Sequence, residues 1–155
     1  EFYLDGFRWE KWYRENGFRF LVNGCVRPRP GLALAGVNDP VVQQYGGYGN
    51  ARPNVETAFR SSRPGDFRIL LEHRPENFRA NAVRHGVDLQ LSGHTHGGIA
   101  PLIDRVVARL NKGFVRGLYR EGDSALYVNP GVGLWAGFPL RFFDPAEITV
   151  FTLRR

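Results

Sequence analysis

Between Phe67 and Leu91 the chain reads strand, helix, strand, and that succession restricts the fold more than any other stretch. Phe67-Arg68-Ile69-Leu70-Leu71 is a short apolar run suited to a buried strand, and it ends at Glu72-His73. Pro75 can open a helix, Phe78, Ala82 and Val83 give it an apolar face, and Gly86 supplies the stop. Val87-Asp88-Leu89-Gln90-Leu91 then forms the second strand. A unit of this kind requires parallel strands joined by a right-handed crossover, so the predicted fold class is α/β.

The flanking segments fit around that unit. Phe7 to Asn16 reads as an aromatic helix that buries one face, stopped by Asn16-Gly17. Phe18 to Val22 reads as a strand, and Leu32 to Val37 as another of the buried kind. Arg27-Pro28-Arg29-Pro30-Gly31 is excluded from any central strand by its prolines and belongs at an edge or turn. Val41 to Pro53 suits a surface loop, and Asn54 to Ser61 a helix capped by Asn54. Helical spacing returns at Leu102, Val106, Val107 and Leu110. Gly113 to Tyr119 is ambiguous, Ala125 to Val128 is a strand, and Ile148 to Leu153 is the last strand. No repeat, low-complexity tract or linker divides residues 1–155, so they form one domain or part of one.

Three of the four histidines fall where this topology concentrates chemistry. Functional side chains in parallel α/β units gather at the carboxyl ends of the strands. His73 follows the first strand, and His94 and His96 follow the second within Ser92-Gly93-His94-Thr95-His96-Gly97-Gly98. Were that backbone extended, His94 and His96 would face the same side. Adjacent strands lie about 4.8 Å apart, so three imidazoles converge on a space fit for one or two metal ions. A polar turn with both rings hydrogen-bonded is the structural alternative. His85, near the end of the connecting helix, suits the helix dipole and is read as structural.

Leu70-Leu71-Glu72-His73-Arg74-Pro75, Gly86-Val87-Asp88-Leu89 and the Gly93-His94-Thr95-His96-Gly97-Gly98 turn resemble the carboxyl-terminal half of a calcineurin-like metallophosphoesterase. Within that superfamily they are most similar to the bacterial branch with a Gly-His-Thr-His-Gly-Gly signature. Ala125-Leu126-Tyr127-Val128, Pro139-Leu140-Arg141 and Glu147-Ile148-Thr149-Val150 follow in the same order as in that branch. The resemblance implies a four-layer αββα sandwich around a dinuclear centre of divalent transition-metal ions (manganese, iron or zinc) acting on a phosphoester substrate. His73 and His94 would bind one metal and His96 the other. The family's Asp-x-His and Gly-Asp-x-x-Asp motifs do not occur here, and Glu1-Phe2-Tyr3 looks like the continuation of a Gly-Asn-His-Glu run. The expectation is therefore a missing amino-terminal half that carries the bridging carboxylate and the catalytic histidine, with no catalytic residue in residues 1–155. The intact protein would be a phosphodiesterase or phosphatase, and this fragment alone inactive. The alternative is an inactive phosphoesterase-like scaffold for protein binding.

Composition trims the possibilities. Cys25 is the only cysteine, which excludes an internal disulfide and a cysteine-based zinc cluster. The net charge of +6 rests on scattered arginines, since Lys11 and Lys112 are the only lysines. That pattern favours solvated faces and general anion steering over dedicated nucleic-acid binding. Trp135, Phe138, Phe142 and Phe143 could form a lip for an anionic lipid or membrane surface, although core packing is the better account of them. Location is open between cytoplasmic and membrane-associated. Asn38-Asp39-Pro40 could reach the histidine rim or simply form a turn, and Asn129 to Gly133 could place backbone amides near a phosphate, although an ordinary glycine turn is the better account of it. Arg74 and Ile99 depart from the small or amide residues expected beside the ligands. Glu72 could orient a ring, although strand alternation directs it away from His73.

Overall fold

Leu70 and Gln90 stand opposite each other at the centre of the sheet. In the computed structural model, which describes residues 2–43, 52–98, 102–132 and 145–154, they belong to β3 (Phe67–Leu71) and β4 (Leu89–Ser92), which pair in parallel. A short 3₁₀ turn (Pro75–Asn77) and α3 (Phe78–His85) connect them, and Gly86 closes α3 in the left-handed conformation at φ 57°. The strand–helix–strand unit is as the sequence predicts.

β2 (Leu32–Gly36) adds in parallel beside β3, and β6 (Ser124–Val128) in parallel beside β4. Each edge is antiparallel: β1 (Gly24–Arg29) on β2, and β5 (Gly117–Glu121) on β6. The order is β1-β2-β3-β4-β6-β5. β1 carries Pro28 at the edge, where a missing N–H breaks no ladder, and its register slips between Val26 and Arg29. The β5–β6 hairpin turns at Gly122-Asp123 with Gly122 at φ 57°, and of the ambiguous stretch Gly113 to Tyr119 only its last three residues join the edge strand.

Ala35, Leu70, Gln90 and Leu126 form one lateral row across four strands, and none is exposed. α2 (Val55–Ala58) covers one end of this face through Ala58, with Phe59, Val87, Ala33 and Leu70 in the same cluster. Phe78 of α3 and Phe114 cover the other end against Leu126 and Val128. Asn54 caps α2 by accepting from the Thr57 N–H at 2.8 Å. The opposite face is thinner at its ends: Phe67 is 41% and Leu71 37% exposed, whereas Ile69 between them and its partner Leu89 are buried.

Three expectations are corrected. Residues 18–22 are not a strand; their backbone crosses the sheet at Gly36, where an added Cβ would lie 2.8 Å from Leu21 Cβ. Ile148 to Leu153 is not a strand either, and this segment lies along the thinner face with Phe151 edge-on to Tyr127 at 5.1 Å. Both runs have strand-like composition, and among the described residues no strand pairs with either. α1 (Phe2–Glu15) begins earlier than expected and does not bury its aromatic face. Trp9, Trp12 and Tyr13 pack on one another, with Trp9 and Trp12 exposed and Tyr13 reaching Phe18 and Phe20. No helix among the described residues is long and apolar enough to cross a membrane.

Candidate metal centre

The carboxyl ends of β2, β3 and β4 enclose an open depression of about 370 Å³ lined by Val37, Leu71, Glu72, His73, Leu91, Ser92 and Gly93. Ladder-like bonds continue past the strands to hold its rim. Val37 donates to the Leu71 carbonyl, Glu72 to that of Leu91, and Gly93 to that of His73. His73 and His94 consequently meet across the strand ends, with ring centroids 5.1 Å apart and planes at 74°. Two imidazoles on one ion at about 2.1 Å would put their centroids on the order of 5 Å apart, so this pair fits a shared metal.

The turn itself differs from the expectation in one respect. β4 ends at Ser92, and beyond it the chain is not extended: His94 has φ 71° and His96 φ 48°. Thr95 donates to the Gly93 carbonyl and Gly98 to that of Thr95, folding the segment into a bend and a 3₁₀ turn (His96–Gly98). Strand alternation therefore does not aim His94 and His96 to one side. The structure brings His73 and His94 together but does not add His96, and among the described residues no three histidine, cysteine, aspartate or glutamate side chains are grouped to hold an ion. The residues present thus fit two ligands of one metal and fall short of a complete centre. Left-handed φ at a residue other than glycine costs of order 1–3 kcal/mol and persists only where its surroundings enforce it. Here the enforcement is visible: the buried Thr95 hydroxyl donates to the Val115 carbonyl, and Arg116 donates to the Gly97 carbonyl at 3.3 Å.

Electrostatics favour the neutral form of His94. Its pKa is pushed down to about 4, first by burial, then by the positive charge of Arg74 and the neighbouring His73, with Asp39 opposing and His96 adding a little. A metal-binding imidazole must be neutral, and the lowered pKa favours that form in His94. Arg74 is held in turn by Asp39, its Nε donating to both carboxylate oxygens at 3.1 and 3.3 Å. Asp39 also accepts from the Val41 N–H at 2.8 Å, so it is a turn residue and an ion-pair partner at the rim together.

Beneath the rim lies a buried polar network that sequence reasoning missed. Glu72 points away from His73, as strand alternation requires, and accepts from Asn77 at 3.0 Å and Asn81 at 2.6 Å. Asn81 also donates to Gln90, and Gln90 to the Ser92 hydroxyl at 3.1 Å and the Arg74 carbonyl at 3.4 Å. Burial pushes the Glu72 pKa up, the amide hydrogen bonds of Asn77 and Asn81 oppose it, and Glu76 and Asp39 add to the rise. The one signal of it in the sequence is a glutamine in the middle of a buried strand. On the other side, Asn129 donates to Thr149 at 2.8 Å and accepts from the Gly131 N–H at 2.6 Å, which makes it a turn-forming residue. Tyr127 donates to Glu147, tying the tail to β6. His85 ends α3 as expected, its carbonyl accepting from Arg68 at 2.8 Å. Ile99, Trp135, Phe138, Phe142 and Phe143 lie outside the described residues.

Relatives carry the same segment. An uncharacterized metallophosphoesterase of Helicobacter pylori is 36% identical over 135 residues, which is 86% of this chain and 35% of that protein. The uncharacterized metallophosphoesterase YkuE of Bacillus subtilis is 42% identical over 94 residues, 57% of this chain and 31% of its own length. A transmembrane protein with metallophosphoesterase domain from Bos taurus is 38% identical over 128 residues, 79% of this chain and 28% of that protein. The chain belongs to the calcineurin-like metallophosphoesterase superfamily. It spans about a third of the length of these relatives. No family model and no solved structure matches it. His73 and His94 lie side by side at the carboxyl ends of adjacent parallel strands.

Proposed function

We propose that the complete parent protein hydrolyses phosphoesters with a dinuclear centre of divalent metal ions, and that this chain supplies His73, His94 and His96 as ligands. The observation that carries the reading is the His73–His94 pair, 5.1 Å apart, with His94 held neutral. His96 is proposed as a ligand of the second ion from the family resemblance alone. Bound there, divalent ions would lower the pKa of a water and neutralise charge developing on phosphorus. Among the described residues no carboxylate is grouped with the two rings to bridge such ions, so the remainder of the parent would supply it.

This chain's own residues contribute positioning and charge. Arg74 engages Asp39 through Nε, and its terminal guanidinium N–H groups can donate to a phosphate oxygen. The Gly93 N–H donates to the His73 carbonyl at 3.0 Å and ties the two strand ends together. The network from Glu72 to Ser92 fixes the rim from below.

The test is metal content and turnover of the complete parent, purified with manganese or zinc, on a generic aryl phosphodiester. Retained metal, lost together with turnover in His73→Ala and His94→Ala, is the expected result. Absence of retained metal would sink the reading. One observation favours a scaffold instead, namely that no three ligating side chains are grouped among the described residues. That alternative expects His94→Ala/His96→Ala to leave the biological activity intact.

A further inference from the structure

α4 (Ile103–Leu110) sits on the domain the wrong way round for a core helix. Ile103, Val106, Val107 and Leu110 recur at spacings that gather them into one apolar stripe. An ordinary surface helix buries such a stripe. In α4 no residue is buried, and Ile103, Val106 and Leu110 are 46%, 58% and 75% exposed. The side turned to the domain is carried by half-buried Asp104, Val107 and Ala108 and by buried Asn111, whose amide donates to the Val107 carbonyl at 2.9 Å, so the exposed part of the stripe is Ile103, Val106 and Leu110. Along the other flank of the stripe stand Arg105 and Arg109, both exposed, and exposed Lys112 follows the helix.

The helix is also fixed to the histidine turn. An added Cβ on Gly98 would lie 2.7 Å from Asp104 Cβ, 3.0 Å from Asp104 Cα and 3.1 Å from Val115 Cγ1. Gly98 at φ 91° is therefore a point of direct backbone contact between turn and helix.

We propose that α4 is a membrane-surface docking helix that seats Ile103, Val106 and Leu110 at the headgroup–acyl boundary of an anionic bilayer, with Arg105, Arg109 and Lys112 at the lipid phosphates. Charge complementarity selects this occupant: an apolar stripe flanked by cations matches an anionic interface, where basic side chains reach the headgroups while their stems cover apolar surface. Size argues against a protein partner. Eight residues make a helix about 12 Å long, and its stripe falls well short of the ~800 Å² that a stable interface takes from each side. A bilayer has no such minimum, and the combination of apolar insertion with a basic patch provides the two signals that stable attachment needs. Docking does not depend on metal binding. Its consequence, that the histidine turn is held near lipid phosphoesters, rests on the phosphoesterase reading.

The experiment uses the complete parent protein carrying an environment-sensitive fluorophore on Val106→Cys, with Cys25 and any other reactive thiol replaced. A second preparation carries the label on Arg84→Cys, exposed on α3. Vesicles of phosphatidylcholine with roughly 30 mol% phosphatidylglycerol should shift the label at 106 to the blue and leave the label at 84 unchanged. Arg105→Gln/Arg109→Gln should weaken the vesicle affinity about 30-fold, since each basic side chain near the surface contributes on the order of 1 kcal/mol. Leu110→Ser should weaken it about tenfold. Turnover of a soluble aryl phosphodiester should be unchanged in all of these variants, which separates failure of docking from failure of the phosphoesterase reading. An unchanged label at 106 would overturn the proposal. So would a label already shielded from iodide before vesicles are added, because the parent's other residues or a second copy would then cover the stripe. An equal shift with pure phosphatidylcholine would overturn the anionic assignment.

Discussion

The two faces of the sheet are finished to different degrees. On the helical face, the row Ala35, Leu70, Gln90 and Leu126 is fully enclosed, and even its polar member is hydrogen-bonded on both sides. On the other face, the neighbouring Leu71 is 37% exposed and Phe67 41%, with residues 18–22 and the tail as partial cover. Leu70 and Leu71 are adjacent, chemically identical and on the same strand, so the difference belongs to what lies above each face. Among the described residues, helices enclose one face more fully than the segments on the other.

The largest expected effect tests the closed face. Leu70→Ala should cost about 2–5 kcal/mol by denaturant unfolding, as buried leucine truncations do. Asn81→Ala should come next at about 1–3 kcal/mol, because it leaves Glu72 and Gln90 without their shared donor. A cost near zero would show that water replaces the amide and that the network is not closed. Leu71→Ala should cost about 1 kcal/mol or less in the isolated chain. In the complete parent the same substitution should approach the Leu70 value if further protein covers that face; equal small costs in both would break the comparison.

The smallest effect is a pH dependence at the far end of the sheet. Arg27, and after it the Arg63 N–H, hold the Asp66 carboxyl down at about 2. A carboxyl whose folded pKa is lowered stabilises the fold above its unfolded pKa of about 3.9 and loses that contribution as pH falls through the folded value. Unfolding midpoints measured from pH 5 to pH 2 should therefore decline, and Asp66→Asn should flatten the decline.

The strand–helix–strand unit was legible because every level agreed: apolar runs for strands, Pro75 at the start, and Gly86 at a position that adopts the left-handed cap. The edge position of β1 was legible from its prolines. Phe18 to Val22 and Ile148 to Leu153 were misread because strand composition describes a half-buried surface and does not provide a partner ladder. The aromatic helix was misread for a related reason: periodicity marks a face but not what meets it. At the site, chain order located His73 and His94, which the parallel register brings together. The bend after Ser92 was hidden because left-handed φ at histidine is enforced by distant groups, Val115 and Arg116, that no local pattern connects to it.

That bend has an evolutionary consequence. His94 and His96 occupy backbone positions where glycine or asparagine would be more comfortable. Stability alone would favour their replacement, so under the proposed function a demand for imidazole would account for their retention. A lineage in which the demand lapsed should drift toward glycine or asparagine at these two positions before it loses the sheet beneath. Among descendants of this chain, identity at 94 and 96 would then date the loss of chemistry independently of the loss of fold.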